Sequence, residues 1–183
     1  MSAIVFIRHG ETQMAGTFCG HSDPPLCHSG RRQIALAAVR VAALGIERIV
    51  ASDLLRASQS AALLSRSLGA PVDHQPRLRE LYFGLWEGLN WNQVEAQYPD
   101  EADEWLRHWP LRSAPGGELY EHFRARVAAE ITPLLANPSA PNTALVTHRG
   151  VMFCALQDHF QFSQQEAWTQ TACYGAVVVA RPA

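Results

Sequence analysis

Short apolar runs alternate with longer amphipathic stretches in the N-terminal part of the chain. The runs at residues 3–7 and 46–52 are rich in Ile and Val and predict two buried strands. After each run the apolar residues recur with a helical period, at Ile34, Ala38, Val41 and Leu44, and then at Ala57, Ala61, Leu64 and Leu68. Gly45 and Gly69 stand where C-terminal caps belong, and Ser52 or Asp53 is predicted to cap the start of the second helix.

The same alternation returns in the C-terminal part of the chain. The stretch TALVTH at 143–148 predicts a strand, RGVMFCALQDHF at 149–160 a helix, and YGAVVVA at 174–180 a final strand. One more helix is predicted from Glu118 onwards, with an apolar side formed by Phe123, Val127, Ile131 and Leu134. Strands that alternate with helices predict an α/β protein, here a three-layer α/β/α sandwich with a mostly parallel central sheet.

Composition and charge narrow the class of protein. Hydrophobic residues make up 48% of the 183 residues, so we expect residues 1–183 to form one domain, with an aromatic-rich cap insertion at about 81–117. The net charge is -2 and no basic block occurs, which argues against a nucleic-acid partner and favours a small ligand. No apolar run reaches the roughly 18 residues of a membrane span, which argues against a membrane partner.

Cysteine usage bears on the compartment. The four cysteines form no C-x-x-C pair, and the N-terminus lacks the charged start and apolar stretch of a secretory signal. We therefore expect reduced thiols and a cytoplasmic location.

Basic residues stand at the ends of three predicted strands. Arg8 and His9 end the first strand, Arg56 lies just after the second, and His148 ends the third. Open α/β sheets bind ligands at the carboxyl ends of their strands, so these side chains are expected on one rim. Two arginines match a phosphoryl group, and a neutral histidine can attack phosphorus. Gly10 is expected to let the backbone approach that phosphate closely.

Six motifs along nearly the whole chain carry a resemblance to a known family. They are VFIRHGET at 5–12, G-x-x-D-x-P-L at 20–26, S-D-L-x-R-A at 52–57, R-E-L-x-x-G-x-W-E-G at 79–88, P-G-G-E at 115–118 and V-T-H-x-G at 146–150. Together they resemble the histidine phosphatase superfamily, which contains cofactor-dependent phosphoglycerate mutases and many small phosphatases.

The resemblance implies a role for each member of a catalytic set. His9 becomes a transient phosphohistidine, while Arg8, Arg56 and His148 hold the phosphoryl oxygens. Glu80 protonates the leaving oxygen and then activates water. Neither a metal ion nor another cofactor is expected.

Further residues near these motifs are predicted to bind phosphate or substrate: Gly10, Thr17, Cys19, Gly20, His21, Arg149 and Gly150. The family often has an asparagine that donates to the phosphate in the pattern R-H-G-E-T-x-x-N, but this chain has Ala15 there. Thr17 or a backbone N–H is expected to compensate. The side chain of Arg149 either reads the substrate or points to solvent.

Four residues with metal-binding side chains, Cys19, His21, Cys27 and His28, fall close together. Their spacing differs from that of a zinc finger, and two adjacent ligands fit one tetrahedron poorly. No metal site is predicted, and His21 is a candidate for the substrate entrance.

Aromatic residues are concentrated after Glu80: Tyr82, Phe83, Trp86, Trp91, Tyr98, Trp105 and Trp109. Two interpretations remain open. These rings either pack a small helical cap onto the sheet, or some of them form an aromatic wall over the site, suited to a phosphate ester with a planar ring.

The segment after Glu80 also bears on the reaction. Family mutases clamp a carboxylate-bearing sugar acid with a longer, basic insertion, whereas residues 81–117 offer only Arg107 and Arg112. We therefore expect hydrolysis of a small phosphorylated metabolite. The length and the G-x-W-E segment are most similar to phosphatases of the α-ribazole phosphatase type, so α-ribazole 5'-phosphate is a candidate substrate. The alternatives are a cofactor-dependent phosphoglycerate mutase and a catalytically weak phosphate-binding module, which Ala15 suggests.

Overall fold

A five-stranded sheet lies at the centre of the computed structural model, which describes residues 4–136 and 141–181. The strands are β1 (Ile4–Arg8), β2 (Arg48–Ala51), β3 (Val72–His74), β4 (Thr143–Thr147) and β5 (Val177–Ala180). Their order is β3-β2-β4-β1-β5, and only β5 runs antiparallel to its neighbour. The predicted mostly parallel sheet is confirmed. Ala3, the first residue of the predicted N-terminal strand, lies outside the described residues.

Helices cover both faces of the sheet and give the predicted three layers. They are α1 (His28–Val41), α2 (Leu55–Leu68), α3 (Trp91–Gln97), α4 (Pro99–His108), α5 (Tyr120–Leu135), α6 (Arg149–Phe160) and α7 (Gln164–Gln170). Successive residues of β1 point to opposite faces. Val5 and Ile7 accordingly pack in one core with α1 and α2, whereas Ile4 and Phe6 pack in the other with α5 and α6.

The ends of the first two helices separate a confirmed prediction from a wrong one. Gly69 caps α2, and Gly45 caps the 3-10 helix Ala42–Leu44 that directly follows α1; their φ angles of 73° and 58° are left-handed, as is usual in C-terminal caps. Neither Ser52 nor Asp53 caps α2, because the N-cap position is Leu54. The carboxylate of Asp23 reaches across from the loop before α1 and accepts a hydrogen bond from the Leu55 N–H at 2.5 Å.

The segment predicted as a cap contains more regular structure than its sequence indicated. It holds α3 and α4, and α3 begins with a reciprocal capping box between Asn90 and Gln93. Trp86 is fully buried and packs with Val94 and Ala102 in a small core of the segment's own. The sequence pattern also missed the three-residue strand β3 and the short helix α7. Among the described helices, none is both long and apolar enough to span a membrane.

Candidate active site

His9 stands directly after β1 with its side chain buried. Its Nδ1 lies 2.7 Å from the carbonyl oxygen of Gly10, which can only accept, so Nδ1 carries the proton and donates it. The other ring nitrogen, Nε2, then has a free lone pair and accepts from the Nε of Arg56 at 3.3 Å. Burial, and then the charge of Arg56, hold the pKa of His9 well below its usual value. His9 is therefore a neutral imidazole with a defined nucleophilic atom.

Arg56 lies in the first turn of α2 and is fully buried. Besides His9, its guanidinium donates to the carbonyl oxygens of Cys19, Gly20 and Ser22 at 2.7–2.9 Å. These bonds hold the loop that follows β1 against the site. No carboxylate among the described residues pairs with Arg56. A buried charge of this kind is stabilised by a bound anion.

Arg8 is held by the segment that follows α7. Its Nη1 donates to the carbonyl oxygens of Thr171 and Ala172 at 3.1 and 2.5 Å, and its guanidinium lies 4.1 Å from the ring centre of Tyr174. The Nε of Arg8 is buried and has no hydrogen-bond partner among the described residues. A buried donor without a partner indicates a place for an acceptor.

His148 stands beside His9, with the two ring centres 5.0 Å apart. Its Nε2 lies 2.9 Å from the hydroxyl of Ser52, and its buried Nδ1 has no partner among the described residues. Burial, followed by the charge of Arg56, holds the pKa of His148 well below its usual value. The sequence reasoning missed Ser52 as part of this site, although it opens the motif that contains Arg56.

The carboxylate of Glu80 is bonded to backbone N–H groups from two separate parts of the chain. Its Oε1 accepts from the N–H of Leu81 and its Oε2 from the N–H of Gly150, each at 3.0 Å. A Cβ atom at position 150 would come within 2.3 Å of the Glu80 carboxylate, so any larger residue there would displace that carboxylate. The N–H of Gly150 is bonded to Glu80, and the phosphate contact predicted for Gly150 stays a prediction.

The other predicted binding residues divide into two groups. Thr17 and Cys19 line a cavity beside His9. Gly10 and Gly20 lie in close packing, because a Cβ atom on either would lie within 2.3 Å of a backbone oxygen, and their contacts with a ligand stay predictions. The Nε2 of His21 lies 3.0 Å from the carbonyl oxygen of Glu80, so its ring supports that segment.

Ala15, which stands where the family often has an asparagine, is exposed. The hydroxyl of Thr17 already donates its proton to the carbonyl oxygen of Met14 at 2.8 Å, so it is not free to replace that asparagine as a donor. Thr17 would have to break that bond before it could donate to a phosphate. Compensation for Ala15 by Thr17 therefore remains a prediction.

The cavity beside His9 has a volume of about 620 Å³, and nine aromatic side chains contribute to its wall. The rings belong to Phe18, Phe83, Trp105, Trp109, Tyr120, Phe123, Phe153, Trp168 and Tyr174. Each interpretation of the aromatic cluster is thus right for part of it: Trp86 packs the inside of the cap, while Trp105 and Trp109 line the cavity. Trp168 and Tyr174 were missed because they lie in a distant, unremarkable stretch of sequence.

Arg149 lies along the wall of this cavity. Its guanidinium is 3.7 Å from the ring centre of Trp168, and its Nη2 donates to the Trp168 carbonyl oxygen at 3.3 Å. The Nε of Arg149 is buried without a partner among the described residues. Of the two alternatives for this side chain, the geometry favours the one that faces the substrate.

The four cysteine and histidine side chains considered for a metal do not converge. Within residues 4–136 and 141–181, no group of three or more His, Cys, Asp or Glu side chains is arranged to hold an ion. Cys19 lines the cavity, whereas the sulfur of Cys27 lies 3.0 Å from the hydroxyl of Ser29 at the start of α1.

Comparisons with known proteins place the chain in one family. The family model of the histidine phosphatase superfamily (branch 1) matches residues 4–182. The adenosylcobalamin/alpha-ribazole phosphatase of Salmonella typhimurium is 27% identical over 93% of this chain and 87% of its own length. The probable phosphoglycerate mutase GpmB of Yersinia enterocolitica is 33% identical over 85% of this chain and 74% of its own length.

Solved structures show the same fold. The alpha-ribazole phosphatase from Shigella flexneri superposes with a TM-score of 0.81 at 26% identity, covering 91% of this chain and 84% of that one. A mycobacterial glucosyl-3-phosphoglycerate phosphatase, in a complex with VO3, gives a TM-score of 0.82 at 26% identity, covering 98% and 92%.

Proposed function

This chain belongs to the histidine phosphatase superfamily, and we propose that it hydrolyses phosphate monoesters through a phosphohistidine formed on His9. Its phosphatase class is shared with named relatives. The observation that carries the mechanism is the state of His9, whose proton is held on Nδ1 by Gly10 while Nε2 faces Arg56. Two more buried nitrogens on residues of the proposed catalytic set, the Nε of Arg8 and the Nδ1 of His148, lack partners among the described residues, which supports a bound anion there.

In the first step the Nε2 lone pair attacks phosphorus, and the bond from phosphorus to the ester oxygen breaks. The protonated carboxyl of Glu80 gives its proton to that oxygen, so an alcohol leaves. Charge on the equatorial oxygens is stabilised by donors from Arg8, Arg56 and His148. The ring of His9 becomes cationic as it is phosphorylated, and the bond from Nδ1–H to Gly10 stabilises that charge.

In the second step a water molecule attacks the phosphohistidine. The Glu80 carboxylate takes a proton from the water, the bond from Nε2 to phosphorus breaks, and inorganic phosphate forms. His9 regains its lone pair and Glu80 its proton, which completes the cycle.

The size and the lining of the cavity favour a substrate with a bulky, ring-bearing leaving group. Its volume of about 620 Å³ far exceeds that of a phosphoryl group, and nine aromatic side chains line it. Such walls favour planar ligands. With relatives that include alpha-ribazole phosphatases, α-ribazole 5'-phosphate is the first candidate, and the substrate class is a small phosphorylated metabolite with a planar ring.

Phosphoglycerate mutase is the second candidate, since relatives with that name reach 33% identity. The two arginines of the cap argue against it. Arg107 pairs with Asp103 at 2.5 Å, and Arg112 lies 4.0 Å from Glu104, both on the exposed surface. Neither arginine lines the cavity beside His9, so neither is placed to bind the carboxylate of a sugar acid.

The test compares the natural protein, His9→Ala and the exposed control His28→Ala with p-nitrophenyl phosphate in the presence of EDTA. We expect phosphate release by the natural protein and the control, and background release by His9→Ala. After an acid-free quench, a phosphorylated protein should form only when His9 is present.

A substrate panel separates the two candidates. We expect the highest kcat/KM for α-ribazole 5'-phosphate and little reaction with 3-phosphoglycerate. Interconversion of 2- and 3-phosphoglycerate with little phosphate release would instead support the mutase and overturn the phosphatase proposal.

A further inference from the structure

Arg126, on α5, is joined to the backbone of the segment that ends in Glu80. Its Nη1 donates to the carbonyl oxygens of Arg77 and Arg79 at 2.7 and 2.6 Å, and its Nη2 donates to that of Glu80 at 2.8 Å. One guanidinium therefore satisfies three carbonyl groups within four residues. This segment belongs to no strand of the sheet, so no neighbouring strand holds its backbone by hydrogen bonds. The bonds from Arg126 satisfy these carbonyl groups instead.

Glu118 orients that guanidinium. Its two carboxylate oxygens accept from the Nε and Nη2 of Arg126 at 2.7 and 2.8 Å, in the two-pronged geometry that fixes the plane of an arginine. Both side chains are about four-fifths buried, at 20% and 18% exposure, so solvent screens the pair only weakly. Glu118 is the last residue of the P-G-G-E motif, which the catalytic steps leave without a role.

The carboxylate of Glu80 has its own anchors, in the N–H groups of Leu81 and Gly150. They fix the carboxylate only if the backbone at residue 80 is itself in place. Arg126 supplies that backbone restraint from α5, and His21 adds a bond to the same carbonyl oxygen at 3.0 Å. A displacement of about 1 Å at a reacting group costs on the order of a hundredfold in rate.

We infer that Arg126, oriented by Glu118, is a positioning residue that holds Glu80 where it can protonate the leaving oxygen. The inference rests on the proposed role of Glu80. Arg126 does not line the cavity, so it acts through Glu80. Loss of Arg126 should therefore weaken acid catalysis while leaving attack by His9 in place.

A loss of acid catalysis can be measured with two esters whose leaving groups differ in their need for a proton. p-Nitrophenolate leaves without protonation, whereas the alkoxide of benzyl phosphate requires it. We measure kcat/KM for both esters, because this constant reports the step that forms the phosphohistidine. Glu80→Gln serves as the reference for lost acid catalysis, which is worth on the order of 10²–10⁴-fold.

For Arg126→Met we expect the kcat/KM ratio of benzyl to p-nitrophenyl phosphate to fall at least about tenfold, in the same direction as in Glu80→Gln. Arg126→Lys should fall between Arg126→Met and the natural protein, since an ammonium group cannot span three carbonyl groups. The matched control is Arg124→Met on the same helix, which removes an exposed pair with Asp158. Its ratio should stay within about twofold of the natural value.

The possible outcomes distinguish a failure of this inference from a failure of the proposed function. An unchanged ratio in folded Arg126→Met, with Glu80→Gln showing its loss, overturns the inference alone. If Glu80→Gln itself leaves the ratio unchanged, the role of Glu80 falls, and the inference falls with it. Glu118→Gln, which keeps the arginine, gives the same test if Arg126→Met does not fold. Turnover that persists in His9→Ala would overturn the proposed function first.

Discussion

At the residue scale, the site keeps two histidines neutral in the company of arginines. His9 and His148 lie next to each other and near Arg56, and burial is the largest cause that lowers both pKa values. The proposed attack by His9 requires a neutral ring, because a protonated imidazole has no lone pair on nitrogen. The same arrangement makes the folded state unable to take up protons that the unfolded chain binds readily.

Stability is therefore expected to fall as the solution becomes acidic. In the unfolded chain both histidines titrate near pH 6.5, so below that pH the unfolded state binds more protons than the folded state. The free energy of unfolding should drop by up to about 1.4 kcal/mol per pH unit for each histidine. His21, whose pKa is also lowered by burial, adds in the same direction.

Urea unfolding without phosphate, at several pH values between 7.5 and 5, measures this dependence. His9→Asn should reduce the slope below pH 6.5, while the exposed His28→Asn should leave it unchanged. A flat profile over this range would contradict the prediction.

At the element scale, α2 depends on a residue that is far from it in sequence. The Asp23 carboxylate accepts from the N–H of Leu55, and the guanidinium of Arg56 in turn holds the carbonyl oxygens of the same loop. Helix and loop thus fix each other. The element that carries Arg56 is in place only when the loop before α1 is folded.

Removal of this cap is expected to destabilise the protein. Asp23→Ala should lower the free energy of unfolding by about 1 kcal/mol, which is typical of a lost N-terminal cap. Asp23→Asn keeps an acceptor and should lose only a few tenths of that. Equal losses in the two variants, measured by urea unfolding, would show that the carboxylate of Asp23 does not cap α2.

The sequence predicted the elements that have their own local pattern. The stripes of α1 and α2 and the apolar runs of β1 and β4 are visible without any tertiary information. Arg8, His9 and Glu80, which the motifs singled out, line the cavity, and their roles stay predictions. Features that depend on distant partners were missed. The cap from Asp23 is one example, and β3 is another, since three residues show no periodicity.

At the scale of the whole molecule, the cavity lies between parts of the chain that are far apart in sequence. Trp105 and Trp109 come from the cap, and Phe153 and Trp168 come from α6 and α7. No single segment contains enough of this wall to reveal its shape. The sequence therefore indicated the aromatic side chains that the cap contributes to the wall, but not those that α6 and α7 contribute.

Preference for ring-bearing substrates should depend on the two exposed indoles of this wall, Trp109 at 41% and Trp168 at 54% exposure. Trp109→Ala and Trp168→Ala should each lower kcat/KM for α-ribazole 5'-phosphate by roughly three- to tenfold relative to glycerol phosphate, since stacking contributes about 0.5–1.5 kcal/mol. Leu106→Ala, on α4 but outside the cavity wall, is the control. Equal losses for both substrates would contradict a role in ring recognition.

The position of β1 in the sheet has a consequence for synthesis of the protein. His9 follows directly after this strand, and the strands that pair with β1 among the described residues are β4 and β5, at residues 143–147 and 177–180. Because β1 is synthesised well before β4 and β5, it must wait for them before it has a neighbouring strand. Nascent chains that stop short of β4 should therefore lack the proposed phosphate site altogether. A ribosome-stalled series of chain lengths should show phosphatase activity only after β5 has left the exit tunnel.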